Sequence, residues 1–346
     1  MSRKLAVMFA GLCACATTAA GQTAEARPPG IPPTGTHVTR QYLPPRTAWG
    51  DPDLQGTYTN KYELNTPLER PKAFEGRRAE DITTAELADI IRQRQAEAVN
   101  RPAGPGGNPQ FRDVYEVAKG SRPWLIVDPP DGKMPPLQPG ARDRATPAET
   151  TIYAVNERWP IGGSSEGGPF NGPEDFSLYD RCVTRGLPGS MLPHVQGNSY
   201  EIFQAPGLVA IRYELIHETR VIPLEPRPHV GPAIQLDMGD ARGHWEGDTL
   251  VVETRNFKER STYRNAVAST LRLVERFTRT ARTRVEWAVT VDDPSTWTKP
   301  WTFMVPLTAN GREPVMEFAC HEGNYAVPHM LEGARATDRL SVVTHN

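Results

Sequence analysis

Cysteine is scarce in this chain, with four in 346 residues, and two of them, Cys13 and Cys15, stand in the first apolar stretch. There is no Cys-x-x-Cys pair, no His-Glu-x-x-His pattern and no EF-hand loop, so the ligand spacings of zinc and calcium sites are missing. No cofactor is called for and no metal motif is present, and a metal site assembled in space from ligands scattered along the strands stays open. Charge of one sign is also lacking: 39 basic residues face 41 acidic ones for a net of −2. Without a basic excess nothing draws the chain to nucleic acid or to an anionic membrane. Long apolar runs are missing as well. The longest, Leu5 to Ala16, falls short of the ~20 residues of a membrane-spanning helix, so no transmembrane segment is expected.

What is present begins with a secretory pattern. Arg3 and Lys4 precede the apolar run, and small residues follow through Ala20 and Gly21, as in a signal peptide spanning residues 1–21. Cleavage after Gly21, cleavage after Ala26 and lipidation at Cys15 all stay open, with a periplasmic or extracellular product in each case. Proline, at 34 residues, and glycine, at 29, point to loops and strand edges rather than long helices. Residues 22–48 read as a proline-rich arm, and residues 49–346 as one β-rich domain.

Within that domain, Asp51 to Thr59 reads as a turn entering a first strand. A helix is expected near residues 83–100, with Thr83 as its cap, Glu86 at the capping-box position, and Leu87, Ile90, Ile91 and Ala98 on one stripe. Three glycine- and proline-rich tracts follow, over residues 102–109, 128–147 and 162–173. Gly104-Pro105-Gly106-Gly107 follows a helix rather than opening one, the wrong context for a phosphate cradle, and Gly162-Gly163-Ser164-Ser165 reads as a surface loop.

Beyond residue 150 the apolar period becomes two. Strands are expected at Tyr200 to Gln204, Leu208 to Ile216, a hairpin turning at Glu246-Gly247-Asp248, Leu271 to Thr278, Arg284 to Val291, Trp301 to Leu307 and Val315 to Cys320. Alternation sets Arg272 and Arg276 on one face with Glu275 opposite. Successive strands with short turns and no intervening helix predict a mainly β, antiparallel barrel or sandwich.

The phrases from Arg181 to Gly189, Gly239 to Val252 and Ala319 to Tyr325 resemble those of a family of exported bacterial proteins, over about Trp49 to Arg335. That resemblance brings no mechanism with it. Gly56-Thr57-Tyr58 and the later meander also resemble a lipocalin-type, calycin-like barrel, which implies a fold and not a function.

Cys182 and Cys320 are the cysteines left in an oxidising compartment, where a pair is more often bridged than free. Closing so long a loop is worth on the order of 5 kcal/mol in the chain-entropy picture. The candidate catalytic residues are His321 and Glu322, directly after Cys320, with His217, His229 and Arg220 as partners. Imidazole moves protons near neutral pH, a carboxylate orients it, and an arginine holds an anionic or carbonyl group. Trp124, Trp159, Trp245, Trp297 and Trp301 read as core before ligand platform.

Three functions fit these residues. One is a secreted acid–base enzyme, a lyase, isomerase or hydrolase, acting on a small-molecule substrate. Another is a periplasmic binding protein for an apolar or carbohydrate ligand. The third is a structural module of the envelope. Oligomeric state stays open.

Overall fold

The computed structural model describes residues 42–63, 66–100, 122–141, 170–176, 178–194, 197–259, 262–264 and 266–344. The expected signal peptide, Cys15, most of the proline-rich arm and Trp159 lie outside the described residues. All described residues belong to one unit, Pro33–Asn346.

Period-two alternation makes ten strands: β1 Gly56–Thr59, β2 Ile126–Asp128, β3 Ser199–Ala205, β4 Leu208–Tyr213, β5 Thr219–Pro223, β6 Asp240–Glu246, β7 Thr249–Arg255, β8 Arg272–Ala281, β9 Arg284–Asp292 and β10 Trp301–Ala309. They form one antiparallel sheet in the order β5-β4-β3-β1-β10-β9-β8-β7-β6, with β2 also paired to β10. The sheet curls into a nearly closed barrel, so the fold is mainly β as the alternation predicts. Its seam lies between β5 and β6, which touch without a ladder of hydrogen bonds. Gly243 of β6 permits that approach: a Cβ there would stand 2.7 Å from Leu224 Cδ2 and 2.8 Å from Ile222 Cγ2.

One face of each strand fills the barrel. Val285, Trp287, Val289 and Val291 of β9 and Trp301, Phe303, Val305 and Leu307 of β10 are all buried in a single cluster. Trp287 meets Phe303 edge-on at 5.8 Å, and Trp301 meets Trp297 edge-on at 5.7 Å. Trp124 is buried as well. These tryptophans serve the core.

Tight turns at Pro206–Gly207, Gly247–Asp248 and Arg282–Thr283 close one end of the barrel. The other end is where β4 finishes and β5, β6, β8 and β10 begin. Longer connections gather there, and the polar chemistry with them.

Three differences from the sequence expectation have local causes. The strand expected from Leu208 to Ile216 stops at Tyr213, because Ile216 and His217 are left-handed (φ 59° and 56°) and turn the chain into β5. Val315 to Cys320 joins no ladder; Pro314 precedes it, the Cys320 amide turns back to the Phe318 carbonyl at 2.8 Å, and its outside hydrogen bonds among the described residues are single ones to Arg212 and His217. A helix after the last strand was not expected, since Pro328 and Gly333 interrupt its pattern. It is α2, Ala326–Thr344, following α1 at Thr84–Asn100. Proline in a first helical turn removes no needed donor.

At the start of α1, the Glu86 amide donates to Thr83 Oγ1 at 3.3 Å. The Glu86 carboxylate turns away to Arg77, accepting at 2.5 and 2.9 Å. Leu87 and Ile82 bury against Trp124. No helix of the described residues is long and apolar enough to cross a membrane.

Candidate functional site

Across the loop-bearing end of the barrel runs the segment from Leu178 to His194. Leu187, Met191 and Leu192 pack into the barrel's own core cluster, which seats the segment as a cap. Polar contacts register it: Asn60 Nδ2 donates to the Met191 carbonyl at 2.6 Å, and the Tyr200 hydroxyl donates to Asn60 Oδ1 at 3.2 Å. The buried Arg185 lies over the Tyr179 ring at 5.5 Å, and His194 meets that ring edge-on at 5.7 Å.

Beneath the cap stands Glu218, the residue that enters β5. Thr184 Oγ1 donates to its Oε2 at 2.8 Å and Ser190 Oγ donates at 3.2 Å. It makes no ion pair among the described residues. Burial pushes its carboxyl from 4.5 up to about 7; the two hydroxyls and the Arg185 amide pull the other way, and the charge of Asp237 adds to the rise.

Below Glu218, inside the barrel, a polar group interrupts the apolar packing. Arg220 Nη2 lies 2.6 Å from Glu275 Oε2, with side chains 3% and 0% exposed. The same nitrogen donates to Thr254 Oγ1 at 2.8 Å, and Trp287 Nε1 donates to Glu275 Oε1 at 3.1 Å. Tyr213 faces this pair, and burial raises its phenol well above the ordinary range. Arg220 also meets the Tyr213 hydroxyl, while its buried Nε and Nη1 make no hydrogen bond of good geometry among the described residues.

The expected residues therefore separate into three groups. Arg220 is inside, on the same face as Tyr213, whereas alternation carried through from Tyr213 sets it opposite; the left-handed turn at residues 216–217 resets the phase. His217 is exposed, and its Nε2 accepts the Phe318 amide at 2.7 Å. His321 and Glu322 are exposed on the turn after the Cys182–Cys320 bridge, and their side chains take no partner among the described residues. The disulfide itself is present, with Cα atoms 5.7 Å apart.

His229 stands apart from these, on the connection from β5 to β6. Its Nδ1 is 2.8 Å from Asp240 Oδ2 and its Nε2 3.2 Å from Glu253 Oε1. Arg242 holds Asp240 at 2.6 Å, and Arg255 holds Glu253 at 2.6 Å. Burial works against the Glu253 carboxylate, but Arg255 and Arg272 outweigh it and keep its carboxyl below the usual range.

Sequence reading passed over Glu275, Tyr213, Thr184 and Ser190. Only Glu275 carried a signal, as the one acid on the apolar face of β8 between Leu273 and Phe277. The stretch Gly163 to Gly167 also spells Gly-x-Ser-x-Gly, whose chemistry depends on a strand–turn–helix context; it lies outside the described residues. Among the described residues no three His, Cys, Asp or Glu side chains are arranged to hold a metal ion. Comparison with known proteins finds no matching protein family and no matching curated protein.

Proposed function

We propose that this is a secreted protein acting on a small molecule at the capped end of its barrel, by acid–base chemistry that draws on no cofactor and centres on Glu218. The observation that carries this reading is the placement of Glu218: a half-buried carboxylate at the barrel end, held by two hydroxyls and paired with no cation among the described residues. A carboxyl poised near neutrality exchanges protons in both directions at physiological pH, which general acid–base catalysis requires. Export rests on the leader pattern and fits the disulfide. Elimination, isomerisation and hydrolysis are the reaction classes such a group serves.

The test is turnover by Glu218→Gln on a substrate found by thermal-shift screening. The substitution keeps an acceptor for Thr184 and removes the exchangeable proton, so turnover should fall by roughly 10²- to 10⁴-fold with little change in the fold. A variant that turns over at the wild-type rate would remove Glu218 from the mechanism.

A further inference from the structure

The segment from Phe318 to Asn324 touches both stretches of chain that build the Glu218 site. On one side Cys320 is bonded to Cys182, two residues before Thr184. Asn324 reinforces that join, its Nδ2 donating to the Asp180 carbonyl at 2.9 Å and lying 3.3 Å from Cys182 Sγ. On the other side the Phe318 amide donates to His217 Nε2, and His217 is the residue before Glu218. The cap carrying the two hydroxyls and the turn carrying the carboxylate are thus drawn onto one short strap. The left-handed residues at each attachment, Cys182 (φ 57°) and His217 (φ 56°), are conformations that L side chains seldom hold unless surrounding contacts fix them.

We propose that this strap regulates the site, so that thiol–disulfide exchange at Cys182–Cys320 controls how tightly Glu218 is covered by its cap. The proposal rests on the acid–base reading of Glu218. The reaction is balanced by a dithiol reductant: the reductant supplies two electrons and two protons, the S–S bond breaks, Cys182 and Cys320 end as thiols, and the reductant ends as its own disulfide. The cap then keeps its apolar anchors, Leu187, Met191 and Leu192, but loses the covalent tie next to Thr184. Water reaches Glu218, and the desolvation that dominates its raised affinity for a proton diminishes. The groups facing Glu218 are Thr184, Ser190 and the Arg185 amide from the cap, Asp237 from the connection between β5 and β6, and Tyr213 at the end of β4. None of them is a cation paired to the carboxylate, so burial is the quantity the strap can change.

The experiment is a pH titration of the Glu218 carboxyl in the full chain, followed by carbon NMR of glutamate-labelled protein. Its signal is assigned by its loss in Glu218→Gln. The oxidised protein is compared with protein reduced by dithiothreitol and with Cys182→Ser/Cys320→Ser, and near-ultraviolet circular dichroism monitors the barrel throughout. The expected result is a raised midpoint in the oxidised protein that falls by about 1 to 2 units on reduction, toward the ordinary value of ~4.3, with the barrel signal retained. Asn324→Ala, which keeps the disulfide, should move the midpoint the same way by less. A raised midpoint that is unmoved by reduction would overturn the strap and leave the reading of Glu218 standing. An ordinary midpoint in the oxidised protein would end both. Loss of the barrel signal on reduction would show that the bridge holds the fold as a whole, and would overturn regulation at the site.

Discussion

Thr184 donates its hydroxyl to Glu218 at 2.8 Å from 34 residues away in the chain. The same oxygen accepts the Gly186 amide at 2.9 Å, so its direction is set within the cap before it meets the carboxylate. That pairing joins a loop segment to the entry of β5 and gives the barrel end its chemistry.

Stability should depend on pH through Glu218. Its carboxyl is raised from 4.5 to about 7 on folding, so the folded state binds the proton more tightly than the unfolded one. The stabilisation is complete below pH ~4.5 and is lost as pH rises through about 7, by an amount on the order of 3 kcal/mol. Urea unfolding of wild type and Glu218→Gln at pH 5 and pH 8 measures it: the variant should gain relative to wild type at pH 8 and gain little at pH 5. Equal differences at the two pH values would count against a raised carboxyl.

The buried pair of Arg220 and Glu275 should behave asymmetrically. Removing either partner alone, as in Arg220→Met or Glu275→Leu, leaves a charge stranded in the barrel and should cost about 3–5 kcal/mol. The double variant should recover most of that loss, because the desolvation of both charges disappears together. Denaturant melts of the four proteins give the coupling energy directly. Additive losses would mean that the two side chains do not act as a pair.

His229 should pin the connection between β5 and β6. His229→Ala removes contacts to Asp240 and Glu253, while Val230 keeps its amide bond to Asp240 at 3.0 Å. A cost of about 1–3 kcal/mol is expected from the carboxylate contacts left unmade, with faster proteolysis between Leu224 and Gly239. Cleavage at the wild-type rate would show that the loop is held by its other contacts.

Alternation by itself determined β3 and β6 to β10, since a half-buried strand must repeat its apolar residues every second position; β5 was not expected, and the strand expected at Val315 to Cys320 did not form. The Cys182–Cys320 pair followed from cysteine count and compartment in the same way. Tertiary structure decided the rest. Period two says which residues share a face only while the strand continues, and the left-handed turn at Ile216 and His217 ended one strand and began another, carrying Arg220 inside to Glu275. Nothing local marks Thr184 or Ser190 as partners of Glu218, because hydroxyls are common in loops and their bond depends on where the barrel core seats Leu187 and Met191. His321 and Glu322 carry the strongest local pattern for acid–base chemistry, yet they stand exposed. Burial, which moves a carboxyl toward neutrality, is a property of the assembled barrel end, and there it falls on Glu218.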